Sequence, residues 1–242
     1  MKTEAELLHP QYTEYVDQWS MCRDCYEGEA RIKLDDRARV YLPILGGQES
    51  EDYSIYLQRA VFFSILSTVI NGRVGQVFRK APVFNIDNNL EFWSEEVSQN
   101  HLNLTSFVKK ILGEVLMVGR VGVLVDIMPD GGTPYLTLYK GEDIPNWVQD
   151  DKTLSKVTLC EHPIRENYDK NIGYTKLREN VYRILTLEEG QYTISIYEQV
   201  KGKYTLMEQI VPTANGVPLD FIPFVFINTN DISANCSKPP LY

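Results

Sequence analysis

Between Tyr53 and Trp147 the chain passes through a long apolar helical pattern, a second amphipathic one, and a β-branched run marked by a glycine. That succession constrains the fold more than any other feature. Just after Arg120 the apolar spacing switches from the three-to-four step of a helix to the short runs and alternation of strands. Helices followed by sheet predict the α+β class. No catalytic signature interrupts the stretch, and its charges fall at the joints between elements. A chain patterned this way is expected to serve shape and subunit contact.

Helices are expected over about 12–28, 53–78 and 105–118. In the first, Tyr12, Tyr15, Trp19, Cys22 and Tyr26 recur at helical steps and Gly28 closes the run. The second is polar early, at Ser54, Gln58 and Arg59, and apolar nearly all round from Val61 to Leu66. A helix apolar on every side must be covered on every side, by its own domain or by a neighbour. Gly72 and Gly75 weaken its last turns, and Ala81-Pro82 stops it. In the third, Thr105 reads as the N-cap, Phe107, Ile111, Leu112 and Val115 share a face, and Gly119 ends the helix. Residues 30–52 read as an extended loop, and 85–103 as a short helix and loop.

Val121 to Ile127 is a buried-strand pattern, with Gly122 marking a bulge or a close backbone approach. Pro129 to Gly132 reads as a turn into a second strand, Tyr135 to Tyr139, so a helix feeds an antiparallel hairpin. Further strands are expected at Ser155–His162, Val181–Leu187, Gln191–Val200, Lys203–Val211 and Phe221–Asn228, joined as an antiparallel meander. Val181–Leu187, apolar on both faces, belongs at its centre. Residues 1–120 are thus the helical part and 121–242 the β-rich part of one domain.

A chain of 242 residues, 43% hydrophobic, can bury a substantial core, and its formal charge of −9 disfavours non-specific adhesion to nucleic acid or anionic membrane. Cys22, Cys25, Cys160 and Cys236 are too sparse for a disulfide scaffold and are expected to stay reduced. The apolar run Ala60–Ile70 is well short of the roughly 20 residues that cross a bilayer, so no membrane contact is expected. The chain stops soon after Pro239-Pro240, a pair that more often connects than ends, and the natural protein is expected to continue past Tyr242.

The candidate chemistry is thin. Cys22-Arg-Asp-Cys25 has the spacing of half a zinc site, with Cys160 and His162 as an imaginable other half, but the pair falls mid-helix and reads better as packing. Asp126, Asp130, Glu142 and Asp143 gather around the hairpin, where turn chemistry explains most of them. His9, His101 and His162 are scattered, with no nucleophile motif nearby. Gly72-Arg-Val-Gly75 and Gly119-Arg-Val-Gly122 lack the spacing and the lysine of a phosphate loop. Their arginines, with Arg79 and Lys80, read as a basic local patch for phosphate or a neighbour's carboxylates, with salt bridges between subunits or within the domain expected ahead of phosphate. No catalytic residue, cofactor or metal is expected.

Taken in order, Tyr41-Leu-Pro, Tyr56-Leu-Gln-Arg-Ala60, Asn71-Gly-Arg-Val-Gly-Gln-Val-Phe-Arg-Lys-Ala-Pro82, Val118-Gly-Arg-Val-Gly-Val-Leu-Val-Asp126, Pro134-Tyr-Leu-Thr-Leu-Tyr139 and Ile144-Pro-Asn-Trp147 resemble tailed-phage portal proteins, the head-to-tail connectors. The likeness runs from His9-Pro10 to Asn228 and lies in the order of the motifs, in a branch usually described only as an uncharacterised phage domain. It implies a non-enzymatic subunit of a homo-oligomeric ring, commonly of about twelve copies, at one capsid vertex. Double-stranded DNA would pass through the ring, touched weakly and without sequence preference. The implied partners are capsid and scaffold proteins, terminase and a head-completion adaptor. The implied location is the virion, with the host cytoplasm during assembly. This chain would supply the wing-like half, without stem, clip or crown.

On this reading the subunit contact falls on Arg59, Phe62, Phe63, Leu66, Arg73 and Arg120, with Gly72, Gly75, Gly119 and Gly122 as structural joints. Two rivals remain: another phage structural component, such as an adaptor or baseplate module, and a metal-dependent hydrolase using Asp126 with Glu142 or Asp143.

Overall fold

The computed structural model describes residues 3–127, 132–150, 153–169, 173–178, 180–214, 216–236 and 238–241. The fold is α+β, with helices mostly N-terminal and antiparallel sheets after them. It forms two compact units, one of Met1–Val16 with Arg120–Cys236 and one of Asp17–Gly119 with Ser237–Tyr242.

The helical unit takes the later part of α1 (Pro10–Glu27), which buries Trp19, Cys22 and Asp24. Gly28 follows at φ 87°, a left-handed turn where a Cβ would lie 2.3 Å from the Ser64 hydroxyl, so only glycine fits. Beyond it the expected extended loop is instead two short helices, α2 (Glu29–Ile32) and α3 (Asp35–Tyr41). Their cause lies in α1. The buried Asp24 carboxylate accepts from Arg31 Nε at 2.9 Å and from the Tyr41 hydroxyl at 2.9 Å, and it pairs with Arg37 Nε at 3.2 Å. The charges that obscured the helical pattern are thus answered from within.

The single long helix expected over 53–78 is two helices, α4 (Ser50–Arg59) and α5 (Ile65–Val77), with an extended strap between them. Val61, Phe62 and Phe63 are poor helix formers. Tertiary contacts complete the break: the Phe62 N–H donates to Glu29 Oε2 at 3.2 Å, and the Ser64 carbonyl accepts from the Ser67 and Thr68 hydroxyls. Side chains therefore alternate, with Val61, Phe63 and Ile65 outward and Phe62 and Ser64 inward.

α6 (Leu104–Val118) is capped by Asn103, whose Oδ1 accepts from the Ser106 N–H at 2.8 Å. Thr105, the expected cap, lies inside the helix. Gly119 ends it in the left-handed conformation, as the sequence predicts. Arg23 ties α1 to α6 through two hydrogen bonds to Glu114, at 2.8 and 3.3 Å.

The sheet unit contains β1 (Arg120–Asp126), β2 (Tyr135–Lys140), β3 (Asn146–Asp150), β4 (Thr153–Glu161), β5 (Ile164–Asp169), β6 (Gly173–Arg178), β7 (Val181–Glu188), β8 (Gln191–Val200), β9 (Lys203–Ile210), β10 (Thr213–Ala214), β11 (Val217–Pro218) and β12 (Phe224–Asn228). The expected β1–β2 hairpin is present, with Val123 opposite Leu138; residues Pro129 to Gly131 of its turn, Asp130 among them, lie outside the described residues. The meander is a five-stranded sheet in the order β3-β4-β7-β8-β9, with β7 central.

β3 and the short β10-β11 pair were not expected, and two further placements differ from expectation. The polar 164–178 segment forms a separate β5-β6 hairpin, and β12 leaves the meander to pair with β1. Gly122 explains the second. It faces Phe224 so closely that a Cβ would sit 2.2 Å from the ring, so the glycine admits the β12 aromatics and marks a close approach, without a break in register. The core below both sheets is built on Leu124, Ile144, Leu159, Leu185, Tyr192 and Phe226. Each fully buried side chain of this size stabilises by about 1.5–3 kcal/mol.

Candidate functional site

The buried apolar cluster lies in the sheet unit, and both units leave large apolar side chains outside: Val217, Phe221 and Ile232 in the sheet unit, and the strap residues in the helical one. No residue of α4 is buried, and in α5 the buried residue is Ile70. Phe63 is 76% exposed, Val61 69% and Ile65 66%. These side chains come from the outward side of the strap and the start of α5.

Beside them runs a groove of about 510 Å³. One wall is α1, with Met21, Cys22 and Cys25; the other is the strap and α5, with Phe62, Phe63, Ile65, Leu66 and Val69; Leu241 also lines it. A smaller hollow of about 250 Å³ shares Cys25 and Phe62 with the groove and reaches Ile32, Tyr41 and Leu42. Every side chain on the groove is apolar or a thiol, so it can bury apolar surface and offers no acid, base or cation for chemistry. Burial keeps the Cys25 thiol protonated by pushing its pKa up, with Asp24 adding to the shift.

Of the residues the sequence singled out for subunit contact, Phe62, Phe63 and Leu66 meet on this groove. Arg59 and Arg73 are exposed, on α4 and α5, and Arg73 hydrogen-bonds Gln76 at 3.2 Å within its own helix. Gly72 and Gly75 lie inside α5 with open space around them, so they thin the helix surface. Arg120 is a correction: it is 1% exposed inside the sheet unit, its guanidinium 4.0 Å from the Trp147 ring and 4.4 Å from the Phe226 ring. It is therefore not a surface residue of its own unit.

Met21, Ile65 and Val69 were not among the expected contact residues. The sequence carries little signal for them: 61–66 is an apolar run without a period, and Met21 and Cys25 share a helix face far from it in the chain.

The carboxylates of the hydrolase rival are engaged separately. Asp126 takes two hydrogen bonds from Arg183, at 2.5 and 3.0 Å, while Asp143 faces His162 Nε2 at 3.3 Å. Burial, reinforced by Glu142, holds the Asp143 carboxyl above the usual range. Among the described residues no group of three or more His, Cys, Asp or Glu side chains is placed to hold a metal ion. No helix among them is long and apolar enough to cross a membrane.

Comparison with known proteins adds no family: no family model matches the chain, and no curated protein matches it.

Proposed function

We propose that this chain is the wing-like part of a phage portal subunit, assembling with copies of itself into a ring through which double-stranded DNA is packaged and ejected. The observation that carries the reading is the uncovered apolar strap and groove of the helical unit, with Phe63 and its neighbours standing in solvent. A monomer gains nothing from such a surface. A neighbouring copy that covers it gains about 1.5–3 kcal/mol for each large side chain buried, and a head-to-tail contact repeated by rotation closes a ring.

The order of sequence motifs from Tyr41 to Trp147 supports the same class. So does the net charge of −9, because a conduit for DNA must keep its phosphate affinity low. On this reading the chain works by assembly, without catalysis, at the capsid vertex of the virion. An adaptor or baseplate module is the second reading, and the same surface serves it. Negative-stain electron microscopy of the purified protein separates them: closed rings with an opening wide enough for duplex DNA are expected. Monomers, or closed two-fold dimers, would contradict the proposal.

A further inference from the structure

A ring closed by head-to-tail contact needs two different surfaces on each copy, one that receives and one that inserts. The groove of the helical unit is a receiving surface, concave and apolar. The sheet unit carries a surface of the opposite kind. β9 is the outer strand of the five-stranded sheet, and all of its residues but Tyr204 are exposed. Just beyond it the β10-β11 hairpin, with Thr213 opposite Pro218 and Ala214 opposite Val217, is exposed along both strands, so it projects from its unit and joins no packed layer. Met207 is 55% exposed, Val217 65% and Phe221 54%. Apolar exposure gathered in one short stretch marks a surface that something covers.

We propose that the end of β9 and the β10-β11 hairpin of one copy seat in the helical-unit groove of the next copy. The inference rests on the ring reading above and names the surface that the groove receives. Charge supports the pairing. From Tyr53 to Ile86 the chain has no carboxylate and four cations, Arg59, Arg73, Arg79 and Lys80, all of them exposed. From Tyr204 to Ser237 it has no Lys or Arg and three carboxylates, Glu208, Asp220 and Asp231. Asp231 is engaged by Asn228 and Ser233 in its own loop, which leaves the exposed Glu208 and Asp220 to meet a basic rim. On the α1 wall, Asp24 is paired with Arg31 and Arg37, and Glu27 with Arg31. Asp17, exposed and one turn before Met21, makes that wall the acidic one, so the carboxylates of the hairpin belong on the strap and α5 side.

The area is sufficient. Val61, Phe63 and Ile65 on the receiving side and Met207, Val217 and Phe221 on the inserting side are each more than half exposed. At up to about 150–250 Å² for the largest such side chains, the two sides with their flanking backbone approach roughly 1,000 Å², about the least that a specific interface buries. Each copy in a ring makes the contact twice, once through each surface.

Phe63→Cys and Val217→Cys placed in one chain, and joined by a short bismaleimide after assembly, test the contact. Both positions are exposed, so neither substitution should disturb folding. A ladder of covalently joined copies is expected on a denaturing gel, with peptide mass spectrometry showing residue 63 of one copy linked to residue 217 of another. Glu208→Lys combined with Asp220→Lys is expected to raise the protein concentration at half-assembly by about tenfold at low salt, and by less at high salt. Rings that form without the ladder, a link confined within single chains, or assembly indifferent to the charge reversal would overturn this inference and leave the ring reading in place. A native chain that forms no rings removes both.

Discussion

Replacing Asp24 with alanine is expected to lower the stability of the helical unit by about 3 kcal/mol. The carboxylate is almost wholly buried and gathers Arg31, Arg37 and Tyr41 from two other short helices. Neither α2 nor α3 is long enough to hold itself together, since an isolated helix below about 12 residues is marginal in water. Without Asp24, Arg31 is left with Glu27 and Arg37 with Ser20 and Asp36, all more exposed partners, and the Tyr41 hydroxyl loses its acceptor. The arginine side chains are 28% and 31% exposed and can be partly hydrated, which keeps the figure at the lower end of the about 3–5 kcal/mol known for broken buried pairs. Asp24→Asn keeps an acceptor and should fall between. Urea denaturation followed by circular dichroism reads both, and a loss below about 1 kcal/mol for Asp24→Ala would show that α2 and α3 are held by something else.

Phe63→Asp is expected to abolish ring assembly while leaving the monomer fold intact. At 76% exposed, Phe63 contributes little to the fold of its own chain, so the melting temperature of the monomer should barely move. The assembled state is different. A carboxylate placed in an apolar contact without a partner costs several kcal/mol, and a closed ring carries that cost once at every joint. Native mass spectrometry of the variant should show monomer alone. Rings of unchanged mass would remove the strap from the contact.

The parts of this fold that were legible in the sequence are those where one strong pattern speaks alone. The passage from α6 through Gly119 into β1 and β2 was readable because the apolar period changes at a single glycine that tolerates a left-handed turn. The central place of β7 followed from apolar residues on both its faces. The expectation failed where a distant partner decides the local structure. α2 and α3 looked like a charged loop because their charges answer to Asp24, and Asp24 itself gave no sign of burial. The strap at 60–64 looked helical because an apolar run has no visible period, and it is extended because Glu29 and Ser64 hold it so.

The site divides in the same way. Phe62, Phe63 and Leu66 line one groove, but from an extended strap and the first turn of a short helix, not around one long helix. Arg120 was misplaced because arginine at a joint ordinarily means surface, while here two aromatic rings cover it. The groove wall from α1 was missed, since Met21 and Cys25 sit far from the strap in sequence. Pairing between distant segments is the information that a periodicity reading does not hold.

Copies of this chain are proposed to meet at the strap and the groove beside it. Hydrogen exchange across 60–69, compared between dilute monomer and assembled protein, tests it most directly. Protection of that segment on assembly, with the β7 and β8 amides unchanged, is the predicted result. Assembly that leaves 60–69 exchanging as fast as in the monomer would contradict it.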